Sequence, residues 1–246
     1  MSGQLGLFGP GIALGRPEKP ALRFYGGKWS LAGWIVDHFP RGFERMHYVE
    51  PFGGSAAVLL SKPRSVLETY NDLDSRLVTF FRVLRTREEE LVRALELTPF
   101  AREEYRESDF PAGDDLETAR RFFVSLWQSV GGKNGIHSGW RPLRALGGRY
   151  TTPARDYAQS IENLFGVSQR FREVQIENLP ALELIRKTDS VETLFYVDPP
   201  YPLETRGSKG RSYAHEMTVD DHVRLREGLA GVLGFVVLSS YRSRLY

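Results

Sequence analysis

The chain has 246 residues, 41% of them hydrophobic and 12% aromatic, enough for one sizeable α/β core or a core with a smaller inserted domain. It has no cysteine, which excludes disulfides, thiolate metal ligands and any cysteine nucleophile, and no apolar run of the roughly 20 residues that a membrane helix needs. The net charge is only +2, but it is unevenly spread: residues 88–117 carry three arginines against eleven acids, whereas residues 120–172 carry nine basic residues against two acids.

Residues 1–20 are rich in Gly and Pro without periodicity and predict a flexible tail, with structure beginning at Ala21. Ser30 is placed to cap a helix through Leu31, Trp34, Ile35 and His38. Met46 to Val49 predicts a short strand ending in Glu50-Pro51-Phe52-Gly53-Gly54, followed by a helix from Ser55 to Leu60. Ser65 to Tyr70 predicts a second strand. A helix from Asp72 to Arg85 follows, with Leu73, Leu77, Phe80, Phe81 and Leu84 on one face. Residues 86–180 break this rhythm: helices are predicted over 87–97 and 114–129, then a polar, glycine-rich loop from Gly131 to Arg149 and a helix from Pro153 to Phe165.

Alternation resumes with a strand at Val174–Ile176, a helix at Ala181–Arg186 and the apolar run Thr193–Val197, which ends at Asp198. A loop covers 199–217. The next helix spans 218–232, with Thr218 as its cap and Asp221 three residues on, and Gly234 leads into the strand Phe235–Leu238. Strands alternating with helices predict a doubly wound, mostly parallel sheet, in which ligands bind past the carboxyl ends of the strands. Three parts are expected: the tail 1–20, an α/β domain from 21–85 and 180–246, and a mainly helical insert over 86–179.

Four motifs carry chemistry. Asp198-Pro199-Pro200-Tyr201 follows an apolar strand directly. An exocyclic amine on a nucleobase is a poor nucleophile, because its lone pair is delocalised into the ring. A carboxylate and a backbone carbonyl that accept its two N–H bonds can hold the nitrogen nearer tetrahedral geometry, aimed at an electrophilic methyl. Two prolines stiffen the turn and remove competing donors, and the aromatic ring can stack on a base swung out of the duplex. By themselves these four residues serve equally as a rigid turn with a capping Asp.

Glu50-Pro51-Phe52-Gly53-Gly54-Ser55 sits between strand and helix, where glycines admit a ligand close to the backbone. An ordinary tight turn has the same composition. Tyr70-Asn71-Asp72 places an acid about twenty residues past that turn, where it could bind ribose hydroxyls or cap the next helix. Phe24-Tyr25-Gly26-Gly27-Lys28 is not a phosphate-binding P-loop, which would need Gly at Leu22 and Ser or Thr at Trp29.

In this order the four motifs resemble the Dam-type class of DNA adenine-N6 methyltransferases in its α arrangement. The resemblance covers about residues 21–85 and 180–246. It implies a Rossmann-like methyltransferase fold, S-adenosyl-L-methionine as cofactor, double-stranded DNA as partner, and methyl transfer to adenine N6 by base flipping. By position, Phe24 would pack on the cofactor and Lys28 contact it, while Glu50, Phe52 and Gly53 would line its pocket. Asp72 would take the ribose or adenine end. Asp198, Pro199 and Tyr201 would hold the target adenine, with Asp198 also near the methionine moiety. Tyr213-Ala-His-Glu-Met-Thr-Val-Asp-Asp-His222 and Leu238-Ser-Ser-Tyr241 also look like this class.

Phe24 stands where the best-known members carry Trp, and those members continue past the Ser-Ser-Tyr turn into a further β segment, so an exposed sheet edge is expected. The resemblance further implies a cytoplasmic monomer encoded by a bacterium or phage. Methylation of cytosine N4 or of RNA stays open at this point, as does a non-catalytic DNA-binding relative. Cytosine C5 chemistry is excluded, because it needs a cysteine nucleophile.

The basic segment suits a polyanion, although solvated helix faces also differ in sign. Lys133, Asn134, Trp140, Arg141, Arg144 and Arg149 are the candidate DNA contacts within it, because Arg and Asn can read base edges and aromatics can stack on bases. Arg206, Lys209 and Arg211 are candidate phosphate contacts. His137, His215 and His222 lack metal-ligand spacing, and no metal is expected. In the tail, Gln4-Leu5-Gly6-Leu7-Phe8 resembles the peptide with which bacterial proteins dock on the replication sliding clamp, though so short a motif also arises by chance.

Overall fold

Five short runs, rich in β-branched and aromatic residues, form one sheet in which every pairing is parallel. The computed structural model describes residues 17, 19–131, 139–142, 144–146, 149–206 and 213–246. Gln4–Phe8, Lys133, Asn134, Lys209 and Arg211 lie outside the described residues. In chain order the elements are α1 (Ala32–Val36), β1 (His47–Glu50), α2 (Ala57–Ser61), β2 (Leu67–Asn71), α3 (Ser75–Thr86), α4 (Glu88–Glu96), α5 (Arg102–Glu107) and α6 (Asp115–Trp127). They continue with β3 (Arg144–Leu146), β4 (Arg149–Thr151), α7 (Pro153–Glu162), α8 (Leu164–Phe171), β5 (Val174–Glu177), α9 (Ala181–Thr188), β6 (Thr193–Val197), α10 (Val219–Ala230) and β7 (Phe235–Leu238).

The sheet order is β5-β2-β1-β6-β7. The chain therefore moves outward from β1 through β2 to β5, then returns to place β6 on the other side of β1. This reversal opens a crevice between the carboxyl ends of β1 and β6, where Glu50 and Asp198 lie. β6 is buried along its whole length, and its side chains alternate between two cores. Leu194 and Tyr196, with Tyr48, join the larger core, whereas Phe195 and Val197, with Val49, pack against Leu184, Ile185 and Leu225 of α9 and α10. β7 is one edge of the sheet, and Phe235 is half exposed there.

The larger core is strongly aromatic. Phe81 of α3 stacks on Phe171 of α8 at 4.4 Å, and Phe80 stacks on Phe123 of α6 at 6.0 Å. Leu91, Leu95, Phe122, Ile161 and Val167 enter the same cluster, so α4, α6, α7 and α8 are built onto the sheet. β5 is hydrogen-bonded to β2, so the sheet includes a strand from the 86–179 stretch.

Other expectations shift locally. The helix at 153–165 is two helices joined at Asn163, and the glycine-rich stretch contains the antiparallel hairpin β3–β4. Ser30 lies inside a 3-10 turn rather than at a cap. The capping box of α10 forms between Thr218 and Asp221. Among the described residues no helix is long and apolar enough to cross a membrane.

One buried ionic cluster ties α2, β2 and α8. Lys62 Nζ lies 2.5 Å from Glu68 Oε1, and the Arg170 guanidinium grips both oxygens of the same carboxylate. Burial pulls the Lys62 amine down to about 8, with Glu68 opposing the shift. Burial also works against the Glu68 carboxylate, yet Arg170 and Lys62 hold it below its usual range. Removing one partner strands buried charge, which typically costs about 3–5 kcal/mol. Glu68→Gln is predicted to lose stability on that scale in urea unfolding at pH 7; a loss under ~1 kcal/mol would contradict this account of the cluster.

Candidate active site

The turn after β1 is shaped by β2. Gly53 leaves no room for a side chain, since a Cβ there would lie 2.1 Å from the Tyr70 ring. Its amide donates to the Asn71 carbonyl (2.7 Å), and the Tyr70 hydroxyl donates to the Gly54 carbonyl (2.7 Å). Asp72 Oδ2 accepts from the Gly54 amide and Oδ1 from the Asp74 amide, both at 2.9 Å. The buried Asn71 side chain donates to the carbonyls of Pro51 and Leu179 and accepts from the Leu179 amide.

Tyr70-Asn71-Asp72 thus staples together the loops after β1, β2 and β5. Only Asp72 was assigned a role from sequence. A buried Asn at a strand end, with several bonds to satisfy, is the signal that points to its neighbour. The cap of α3 is Asp74, which accepts from the Arg76 amide, and not Asp72. Burial pushes the Asp72 carboxyl up to about 6, against the two amides that favour its charged form.

The opposite wall is the segment from Phe24 to Lys28. Gly26 has φ +77°, and the Gly27 amide closes a turn onto the Phe24 carbonyl. The turn directs Lys28 across the crevice. Its Nζ donates to the Gly26 carbonyl, lies 2.7 Å from Asp198 Oδ2, and stands 4.8 Å from the centre of the Tyr201 ring. The other Asp198 oxygen, Oδ1, is buried without a hydrogen-bond partner. Burial raises the Asp198 pKa, while Lys28 opposes the rise. Glu50 is 2% exposed, and its Oε2 is likewise buried without a partner. Burial and the nearby Asp198 push its carboxyl well above the usual range.

Phe24, Lys28, Glu50, Phe52, Gly53, Asp72 and Asp198 all line one cavity of about 310 Å³. Tyr201 stands beside it, fixed by a hydrogen bond to Ser239 (2.8 Å) and an edge contact with Tyr241 (4.9 Å); Pro199 is buried beneath the turn. Two buried carboxylates with unused lone pairs face a largely apolar chamber. That arrangement suits a ligand carrying positive charge and a flat apolar body.

The family model for the D12 class N6 adenine-specific DNA methyltransferases matches residues 24–137 and 141–242. The chain belongs to this family. No curated protein matches it individually. The activity of this D12-class enzyme is methylation of adenine N6 in DNA, and methylation of cytosine N4 or RNA, or loss of catalysis, is not favoured. The match also runs through most of residues 86–179, well beyond the segments in which the motifs were legible.

Several side chains expected at DNA are otherwise engaged in the D12-class chain. Arg206 does not face outward to a phosphate: it is 4% exposed and paired with Glu216 at 2.7 Å. Arg141 is paired with Asp156 at 2.8 Å, and its amide donates to the Gln128 carbonyl. Trp140 packs 5.7 Å from Phe100, with the Arg102 guanidinium 4.8 Å from its ring centre. Arg144 and Arg149 are brought to the hairpin, opposite Thr151 and Leu146. Tyr213 and Glu216, which sequence reasoning gave no role, are part of the cavity wall. Among the described residues no cluster of His, Cys, Asp and Glu could hold a metal ion.

Proposed function

We propose that the methyl donor is S-adenosyl-L-methionine, bound in the cavity between β1 and β6, and that the target adenine is flipped out of the duplex onto Tyr201. The observation that carries this reading is the Asp198 carboxylate in the cavity lining: Lys28 holds one oxygen, and the other is buried and makes no hydrogen bond. The fit to the donor rests on the residues present. Gly53 and Gly54 leave backbone on the cavity wall, Glu50 offers a buried carboxylate to a cationic group, and Asp72 lines the cavity where it would accept from ribose hydroxyls. When bound, the donor supplies an electrophilic methyl on a positively charged sulfur.

The chain's own residues then orient the nucleophile. Lys28 fixes one Asp198 oxygen, so the free oxygen has a set direction from which to accept an N6 proton. A carbonyl of the rigid Pro199-Pro200 turn would take the second N–H bond, aligning the nitrogen lone pair with the methyl. Tyr201 stacks on the base with its hydroxyl tethered to Ser239. Alignment supplies most of the rate gain. The amine becomes acidic only after attack, so Asp198 can receive the proton last. Arg144 and Arg149, on the paired strands β3 and β4, are the proposed reading surface, supported by the basic composition of that segment.

Asp198→Asn is predicted to cut single-turnover transfer of a labelled methyl to DNA by about 10²–10⁴-fold while the donor still binds. Unchanged transfer would remove Asp198 from the reaction. Asp72 gives a pH signature. An acid with a raised pKa favours the folded state while protonated, and that contribution is lost as pH rises through about 6. Its charged form is the one suited to ribose, so donor affinity should weaken as pH falls through about 6. Calorimetric titration should show this in the wild type and a flat profile in Asp72→Asn; a wild-type profile flat across that range would contradict the role.

A further inference from the structure

The donor cavity and the target-base loop must be in register when the methyl moves, and one side chain joins them. Arg206 Nε donates to the Tyr201 carbonyl, Nη1 donates to Glu216 Oε1 (2.9 Å), and Nη2 lies 2.7 Å from Glu216 Oε2. The pair is nearly enclosed, at 4% and 12% exposure. Glu216 Oε1 also accepts from the Tyr213 amide at 3.0 Å, and the Arg206 guanidinium stands 5.0 Å from the Tyr213 ring centre. Tyr213 meets Tyr25 edge-on at 5.5 Å, and its hydroxyl fills the space beside Gly26, where a Cβ would lie 2.3 Å from it. The stretch from Tyr213 to Met217 is cavity wall.

An enclosed ion pair is weak evidence of a stability role, because desolvation offsets much of the attraction. Its geometry is more telling. A planar guanidinium can donate to a carboxylate oxygen through Nη1 and to a backbone carbonyl through Nε from one rigid frame; an ammonium is a point charge without that fork.

We infer that Arg206 is a positioning residue: with Glu216 it locks the Tyr201 end of Asp198-Pro199-Pro200-Tyr201 to the Tyr213–Met217 wall, so that filling the cavity sets the loop that receives the base. This rests on the reading of the cavity as the donor site. The coupling works without any Arg206 contact to DNA, which separates it from a phosphate-binding role.

The test compares Arg206→Met, Arg206→Lys and Glu216→Gln with the wild type in two assays. In single-turnover methyl transfer, Arg206→Met and Glu216→Gln are each expected to lose about 10²-fold in rate, with the salt dependence of DNA binding unchanged. Their double variant should lose little more than either alone. Arg206→Lys keeps the charge, guarding against a variant that merely unfolds, and should retain donor affinity yet transfer slowly. In hydrogen exchange, S-adenosylmethionine alone should slow exchange across 198–206 in the wild type, and in Arg206→Met only across the donor loops. Weakened DNA binding with a shallower salt slope in Arg206→Met, with Glu216→Gln silent, would overturn the inference in favour of a phosphate contact. So would protection of 198–206 that survives in Arg206→Met. If the wild type binds no S-adenosylmethionine, the donor reading itself fails; binding without coupling defeats only the role of Arg206.

Discussion

Lys28 and Asp198 stand far apart in the chain and 2.7 Å apart in space, and their ion pair closes the crevice that the sheet opens. The crevice follows from topology: β1 has β2 on one side and β6 on the other, so the connections after them diverge. Lys28 bridges that divergence from the glycine turn at residues 26–27. Without it, Asp198 would stand beside the buried Glu50 carboxyl on the adjacent strand end with no ion-pair partner of its own. Such a pair is tolerated only if one is neutral or a positive group enters. The pair therefore does two things. It sets a cation against Asp198 where burial would otherwise favour the neutral acid, and it engages only one of the two carboxylate oxygens.

Around this pair the walls are rigid for identifiable reasons. Tyr70, Asn71 and Asp72 commit their side chains to the backbone of neighbouring loops, so the shape of the cavity is set by β2 as much as by the turn that lines it. Arg206 and Glu216 do the same for the far side, where the turn after β6 meets the segment before α10. In the first place buried polar groups are satisfied by backbone atoms of other loops; in the second an enclosed ion pair holds the Tyr201 carbonyl and the Tyr213 amide. Each therefore constrains position more than it adds stability. The aromatic core of α3, α6 and α8 supports this arrangement from one face of the sheet, and α9 and α10 from the other.

Much of this was legible in sequence where a local rule decides the outcome. The run Thr193–Val197 is apolar throughout because it is a central parallel strand, so Asp198 could be placed at its carboxyl end. Thr218 and Asp221 announced the start of α10. The limits came where distant residues decide. Arg206 looked like a phosphate contact because a cation in a polar loop usually is one; its partner Glu216 is ten residues on, a spacing that neither helical nor strand periodicity describes. Asp72 reads as a possible cap of the next helix, yet it accepts from the Gly54 amide, and the cap is Asp74. Residues 86–179 read as an insert because their strand rhythm stops, and the helices within them bury phenylalanines against α3. Helical periodicity shows that a face is apolar, not which surface it covers.

The central claim, that this crevice aligns adenine N6 for methylation, is tested most directly by digesting DNA exposed to the enzyme and S-adenosylmethionine and identifying the methylated nucleoside by mass spectrometry. The account predicts N6-methyldeoxyadenosine, formed only when both enzyme and donor are present. N4-methyldeoxycytidine as the product, or no methylated nucleoside with a folded, donor-bound enzyme, would contradict it.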